Sequence, residues 1–359
     1  MSRPVAPVTT PRHRAPALLR VAALLAAMLL AAACGDTPRG SADPATPPDP
    51  LIAPTDIGLG SPGEPLGDYT PQSSVVLEVR AATAIAQIDA LLDPALPVDW
   101  DAIREAVEAA PAPIAGVSPP SLVALAIPLG ASPTGGAYAR HFDDTEWLAT
   151  RIVAAAAGTG PFDGADDPTR AAALHGALAI ELPIVQALIA AERAERLTAA
   201  GDLDPILGAP YEWDRVWAIL HGAPGLLDRL EIRDHVLTTT AAGYAAAASG
   251  DLPAARAATD SLREHLVLGA LRGMLDAAEG PTGADTGSSV TATRLRLESL
   301  AYLRSVEPLL ARLDPAATAD LLAHLRSPTP SPEDRERIAA AAEHLATLAG
   351  IEASLQLPL

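Results

Sequence analysis

Lysine and asparagine are absent from the 359 residues, cysteine occurs once, phenylalanine twice and tryptophan four times. Without lysine, no phosphate-binding loop of the G-x-x-x-x-G-K-[ST] kind can be completed. H-E-x-x-H, G-x-S-x-G and E-x-x-H spacings are missing too. That removes the helix-borne zinc protease and the hydrolase nucleophile elbow, and it weakens a ferritin-like di-iron reading. No serine or threonine is singled out by a spaced histidine, so the chain reads as a binding or structural protein and not as an enzyme. The joint lack of Lys and Asn points to a GC-rich genome more than to a mechanism.

The lone cysteine, Cys34, sits in the clearest signal of the chain. Arg12, His13, Arg14 and Arg20 form a basic start with no acid before Asp36, and the apolar run from Val21 to Ala33 follows. That run is too short to span a bilayer and fits the apolar region of a signal peptide. Alanines 31 to 33 directly before Cys34 resemble a bacterial lipobox, although Ala31 stands where leucine is commonest. Residues 1–33 are therefore expected to be a lipoprotein signal peptide, with lipid on Cys34 holding the chain to a membrane. The alternative is an ordinary secreted protein cut at the same alanines with a free Cys34. With Cys34 lipidated, no thiol is left for disulfides or thiolate metal sites. Gly35 lacks the aspartate that retains some lipoproteins at an inner membrane, which favours the outer membrane or cell surface.

From Gly35 to about Ser73 the chain holds nine prolines and frequent glycine. Helix and ladder bonds are broken throughout, so residues 34–73 read as a flexible tether. Beyond Ala33, 21 arginines face 44 acids, a formal charge of −23. Such acidity argues against nucleic acid and favours cations or basic partners, with solubility as its plainer purpose.

Residues 74–359 are long enough for one large domain, and their apolar periodicity is helical nearly everywhere. The pattern predicts helices over 74–92, 99–110, 144–157, 168–198, 211–221, 226–248, 252–278, 290–313, 315–326 and 332–348. Asp167-Pro168, Asp314-Pro315 and Ser331-Pro332 read as capped helix starts, and Asp334 gives the last of them a weak capping box. Pro183 and Pro308 fall inside helical patterns and should kink or break them. Segment 111–143 is punctuated by Pro and Gly and reads as irregular. "AAGDLDP" (199–205) and "AASGDLPAA" (247–255) share helix-end punctuation, a hint of hairpin repetition that one pair cannot establish. The expected fold is all-α, a multi-helix bundle of antiparallel hairpins.

Carboxylates and histidines on helices are the residues left to carry chemistry. Glu231 and His235 share a face at i, i+4, as do Asp260 and Glu264, with His265 about a quarter-turn away. Glu298 in "LRLESLAYL" and Glu181 in "ALAIELPIV" are carboxylates set in apolar patterns, where each needs a partner. Arg263, Arg294 and Arg296 are near enough in sequence to supply one. Carboxylate and imidazole together suit iron, manganese or zinc. The densest group is "PYEWDRVWAILHG" (210–222). There Trp213, Trp217 and His221 form one stripe, with Glu212 and Arg215 to its side. Such a stripe is more often core than ligand site.

"GAPYEWDRVWAILHG" (208–222) resembles the Trp-Asp-x-Ala-Trp-Ala segment of the algal iron-assimilating, low-iron-inducible periplasmic proteins and their bacterial relatives. "FDGADDPTRAAALHGALAIELPIVQALIAAE" (162–192), "REHLVLGALRGMLDA" (263–277) and "RLRLESLAYLRSVEPLLARLDPAATADLLAHL" (294–325) follow in the order of that family. Glu298, Arg304 and Pro308 stand at matching positions of its Glu-Gly-x-x-x-x-Arg-x-x-x-Pro segment. The likeness spans roughly Phe162 to Leu325. It departs at Arg294, where the family often has a second acid, and at His175, where a lysine is usual. The His-x-x-Glu signature of the neighbouring imelysin-type proteins is absent. The resemblance implies an all-helical extracytoplasmic protein that binds iron, or another metal ion, in uptake or storage. The ligands it suggests are Glu298, Glu264 and His265, with Glu212, Asp214 and His221 as a second group. The competing reading is a helical scaffold lipoprotein that binds a protein in the cell envelope, with Arg294 bridged to Glu298 and an apolar groove. A hydrolase with an unrecognised nucleophile is a third.

Overall fold

The computed structural model describes residues 60–93, 97–110, 120–127, 132–279, 289–327 and 332–349. The signal peptide, Cys34, Ser331 and the start of the tether lie outside them. Among the described residues the fold is all-α, with no strand beyond one isolated bridge between Leu66 and Tyr69.

The first helices are α1 (Val76–Leu91), α2 (Trp100–Glu108), α3 (Leu122–Leu125), α4 (Pro133–Phe142) and α5 (Trp147–Ala157). Two of these occupy the 111–143 segment expected to be irregular. Ser132 caps α4 by accepting from the Gly135 amide, and Pro133 fills its first position at no hydrogen-bonding cost. Glu192, far along the chain, takes the Thr134 amide (2.9 Å) and hydroxyl (2.6 Å). A tertiary carboxylate thus sits on a helix N-terminus, where the exposed N–H groups favour it.

α6 (Asp167–Gly176) and α7 (Leu182–Ala200) form the central helix, joined by a π turn at Ala177–Glu181. Its true cap is Asp166, which accepts from the Thr169 amide, and not Asp167. Pro183 was expected to kink or break this helix, and the π turn absorbs it. The Leu182 amide bonds the Ala177 carbonyl five residues back, which widens the turn just before the proline. The helix is apolar and long enough to cross a membrane, but 89% of its most apolar window is buried inside the protein. One side (Ile180, Ile184, Leu188) faces one hydrophobic cluster and the other (Leu178, Val185, Ile189) faces a second, which is why it is apolar all round.

The remaining helices are α8 (Ala209–Gly222), α9 (Leu226–Arg229), α10 (Arg233–Ser249), α11 (Leu252–Glu279), α12 (Ser289–Leu313), α13 (Pro315–Leu325) and α14 (Pro332–Leu348). Neighbours α7–α8, α10–α11 and α11–α12 pack closely, and only Gly250 and Asp251 link α10 to α11. The helix expected over 226–248 is split. Glu231 takes a left-handed φ of 55° between α9 and α10, so it does not share a helical face with His235. Pro308, in contrast, lies inside an unbroken α12.

The two Gly-Asp-Leu phrases have a common local cause. Gly201 and Gly250 both end their helices at φ 72°, and each following Asp amide bonds a carbonyl five residues back, Leu197 and Ala246. The two turns also touch: a side chain on Gly250 would meet Leu203 Cδ1 at 3.2 Å.

Candidate functional site

The Trp-rich stretch is α8, which presents three surfaces to three different neighbours. Trp213 is fully buried, with its indole so close to Gly243 of α10 that a Cβ there would fall 2.2 Å from the ring. Trp217 donates from Nε1 to the Leu66 carbonyl (2.8 Å), packs against Tyr69 (5.7 Å between ring centroids) and stacks on His221 (5.3 Å, 12°). Asp214 is fully buried and accepts from Tyr69 Oη (2.7 Å), the Gln72 amide (3.0 Å) and the Ser73 amide (2.7 Å). Burial pushes its carboxyl above the ordinary aspartate range, while the donors of Tyr69, Ser73 and Gln72 pull it back.

These contacts correct the tether boundary. Residues 60–73 were expected to belong to the flexible tether, and they form a strap bonded to α8. Ser73 Oγ also donates to the Pro205 carbonyl, and the Val75 amide bonds the Gly60 carbonyl at 2.7 Å. Proline and glycine prevent a helix here, and the side chain of Asp214 substitutes for the missing backbone partners.

On the opposite side of α8, four charges form a chain. Arg215 donates from Nε to Glu78 Oε1 (2.6 Å) and from Nη1 to Glu212 Oε2 (2.7 Å). Arg193 then pairs with Glu212 Oε1 at 3.1 Å. Glu212 is fully buried, and burial raises its carboxyl while Arg215 and Arg193 oppose the rise. Arg215 is held above the ordinary guanidinium range because Glu78 and Glu212 outweigh its desolvation. The chain ties α1, α7 and α8 together.

Beside this chain lies a cavity of about 270 Å³. Leu77, Ala81 and Ile85 of α1 form one wall, Leu182 and Pro183 of the central helix a second, and Ile219 of α8 a third. Glu78, Arg193, Arg215, Tyr211 and Gln186 supply its polar edge. Burial, with Glu78 next, pushes the Tyr211 phenol up to about 12. An apolar chamber with a few convergent polar groups is the usual form of a small-molecule site.

The residues named as metal ligands do not come together. Glu264 is exposed on α11 and edges a different, polar cavity with Glu192, Asp260 and Arg263. His265 donates from Nδ1 to the Ser261 carbonyl (2.7 Å) and stacks on His235 (4.3 Å). Glu298 on α12 is near enough to the Tyr302 phenol to help raise it, and Arg229 donates to that hydroxyl at 3.0 Å. In the second group, Glu212 is engaged by two arginines, Asp214 by the strap, and His221 by Trp217. Among the described residues no group of three or more His, Cys, Asp or Glu is arranged to hold a metal ion. The ion pair expected between Arg294 and Glu298 does not form either; Arg294 is exposed.

Other expected partners are found elsewhere. Arg263 pairs with Asp260 (2.6 Å) and Glu192 (3.5 Å), and His175 with Asp89 (2.8 Å). Glu181 lies in the π turn, fully buried, with Arg151 at 3.3 Å. Burial raises its carboxyl to about 7, opposed by Arg151 and assisted by Glu307. Arg170, in the acidic-loop segment, closes the end of α5 by donating to the Ala155 (3.1 Å) and Ala156 (2.7 Å) carbonyls, and lies 3.7 Å over the Trp100 ring.

Sequence reasoning missed Glu78, Arg193 and the cavity they edge, and it placed Arg215 only as a flank of the stripe. The available signal was the acid–base content of positions 212 and 215, three apart on one face. Neither a protein-family model, nor a curated protein, nor a solved structure matches this chain.

Proposed function

We propose that this is a membrane-anchored binding protein of the cell envelope, lipidated at Cys34, which captures a small apolar molecule and does no chemistry on it. The cavity between α1, the central helix and α8 carries the binding reading. Its walls are aliphatic, and the charged groups of its edge are already fixed in ion pairs, which suits holding a ligand better than transferring protons to it. The signal-peptide pattern before Cys34 carries the anchoring and the extracytoplasmic location. Iron binding rests on the family resemblance alone. The scaffold reading loses its Arg294–Glu298 bridge and keeps an apolar recess, which the cavity narrows from a protein partner to a small ligand.

Two measurements test this. Intact mass of the chain recovered from membranes should show acyl groups that a Cys34→Ser variant lacks. Organic extraction of the purified protein should release an apolar compound at about one per chain, and Ala81→Phe, which fills the cavity, should abolish it. Equal recovery from wild type and Ala81→Phe would sink the cavity as the site.

A further inference from the structure

The cavity's charges restrict what it can hold. Its edge carries Glu78, Arg193 and Arg215, and Glu212, outside the lining, completes a chain with two charges of each sign: Glu78 pairs with Arg215, Arg215 with Glu212, Glu212 with Arg193. A carboxylate ligand would have to share Arg215, which already serves Glu78 and Glu212, or Arg193, which already serves Glu212. An ammonium ligand would have to share a glutamate already held by an arginine. Either leaves a net charge beside aliphatic walls, where an ion loses hydration without full compensation. A neutral ligand leaves the balance intact.

Neutral polar groups are present to meet it. Tyr211 lines the cavity, with the Arg215 guanidinium carbon 5.7 Å from its ring centroid. With its phenol pushed up to about 12, it stays a donor across the working pH range. Gln186 spends its amide nitrogen on the Leu125 carbonyl, leaving its own oxygen as an acceptor. A donor and an acceptor on one edge match a hydroxyl, which is both. The volume sets a size as well. At about 30 Å³ per water-sized group in a liquid, about 270 Å³ corresponds to roughly nine non-hydrogen atoms.

We infer that the cavity takes a neutral, largely aliphatic molecule of that size bearing one alcohol or carbonyl oxygen, which Tyr211 holds. This rests on the cavity reading given under the proposed function and specifies its ligand class.

Titration calorimetry of the full-length Cys34→Ser chain with 1-octanol, octanoate and octylamine at neutral pH separates the possibilities. Octanol should bind one per chain, and the two charged analogues at least tenfold more weakly. Tyr211→Phe keeps the ring over Arg215 and removes only the hydroxyl; it should weaken octanol about fivefold, the worth of one hydrogen bond. Octanoate or octylamine binding as tightly as octanol would overturn the neutral-ligand inference while leaving the cavity as the site. Unchanged octanol affinity in Tyr211→Phe would overturn the role of Tyr211. Failure of all three probes to bind, or equal binding to Ala81→Phe, would overturn the cavity reading itself.

Discussion

Tyr69 and Asp214, 145 residues apart in the chain, are joined by a 2.7 Å hydrogen bond from phenol to buried carboxylate. Through it a proline- and glycine-rich segment becomes part of the helical body. The same segment covers Trp217, so strap and helix α8 bury each other.

Asp214→Ala should therefore loosen the strap first. Three donors lose a charged acceptor, each such bond contributing about 1.5–3 kcal/mol, with part recovered because the freed amides reach water. We expect a net loss of about 2–4 kcal/mol in denaturant unfolding. Limited proteolysis should show new early cleavage within 60–75, and Tyr69→Phe should produce a milder version of both. Cleavage that stays at wild-type rates would mean the strap is held by something other than Asp214. Truncation at residue 74 should likewise destabilise the body, because it uncovers Trp217.

Gly243→Ala tests the seat of Trp213. In an exposed helix this change stabilises by about 1 kcal/mol. Here the new Cβ would lie 2.2 Å from the indole, so the ring or α10 must move. Overpacking of this kind costs about 1–3 kcal/mol. We expect a net fall in stability and a shifted tryptophan emission; a more stable protein with unchanged emission would contradict the contact.

Arg215 and Arg193 should differ sharply although both pair with Glu212. Arg215 is largely buried, and Arg215→Met leaves Glu78 and Glu212 without it, a loss of about 3–5 kcal/mol. The Arg193 side chain is 41% exposed, and Arg193→Met should cost about 1 kcal/mol or less. Chemical denaturation of the two variants side by side decides this; equal losses would mean the chain of charges does not depend on burial.

Most helices were legible in the sequence because each repeats apolar residues at the helical period between glycine, proline and capping acids. What was not legible depends on residues distant in the chain. α4 was hidden by Gly135 and Gly136, and it gains Glu192 as an N-terminal partner from the central helix. The strap shows no periodicity, since its order comes from Asp214 and Trp217. Pro183 signalled a break, whereas a π turn absorbed it. The carboxylates and histidines offered as metal ligands were correctly placed on helices, but a helical face says nothing about which neighbour it meets. Glu264 and Glu298 meet different ones. The cavity is defined by Glu78, Arg193 and Arg215 on three helices, with no spacing in the sequence to join them.

Glu181 gives the protein a pH dependence with a definite sign. Its carboxyl is raised from 4.5 to about 7, chiefly by burial. A raised carboxyl binds its proton more tightly in the folded state than in the unfolded chain. Its contribution to stability is therefore fully present below about pH 4.5 and is lost as pH rises through about 7. The size is on the order of 3 kcal/mol, from the difference between the two values. Arg151, 3.3 Å away, opposes the rise and softens the loss without reversing it. Glu181→Gln carries no titrating proton, so its unfolding free energy should fall less steeply than wild type between pH 5 and 8. Urea unfolding at several pH values compares the two slopes directly, and parallel slopes would place the titration elsewhere. A flatter slope in Glu181→Gln would identify the π-turn carboxylate as the group that takes up a proton on folding.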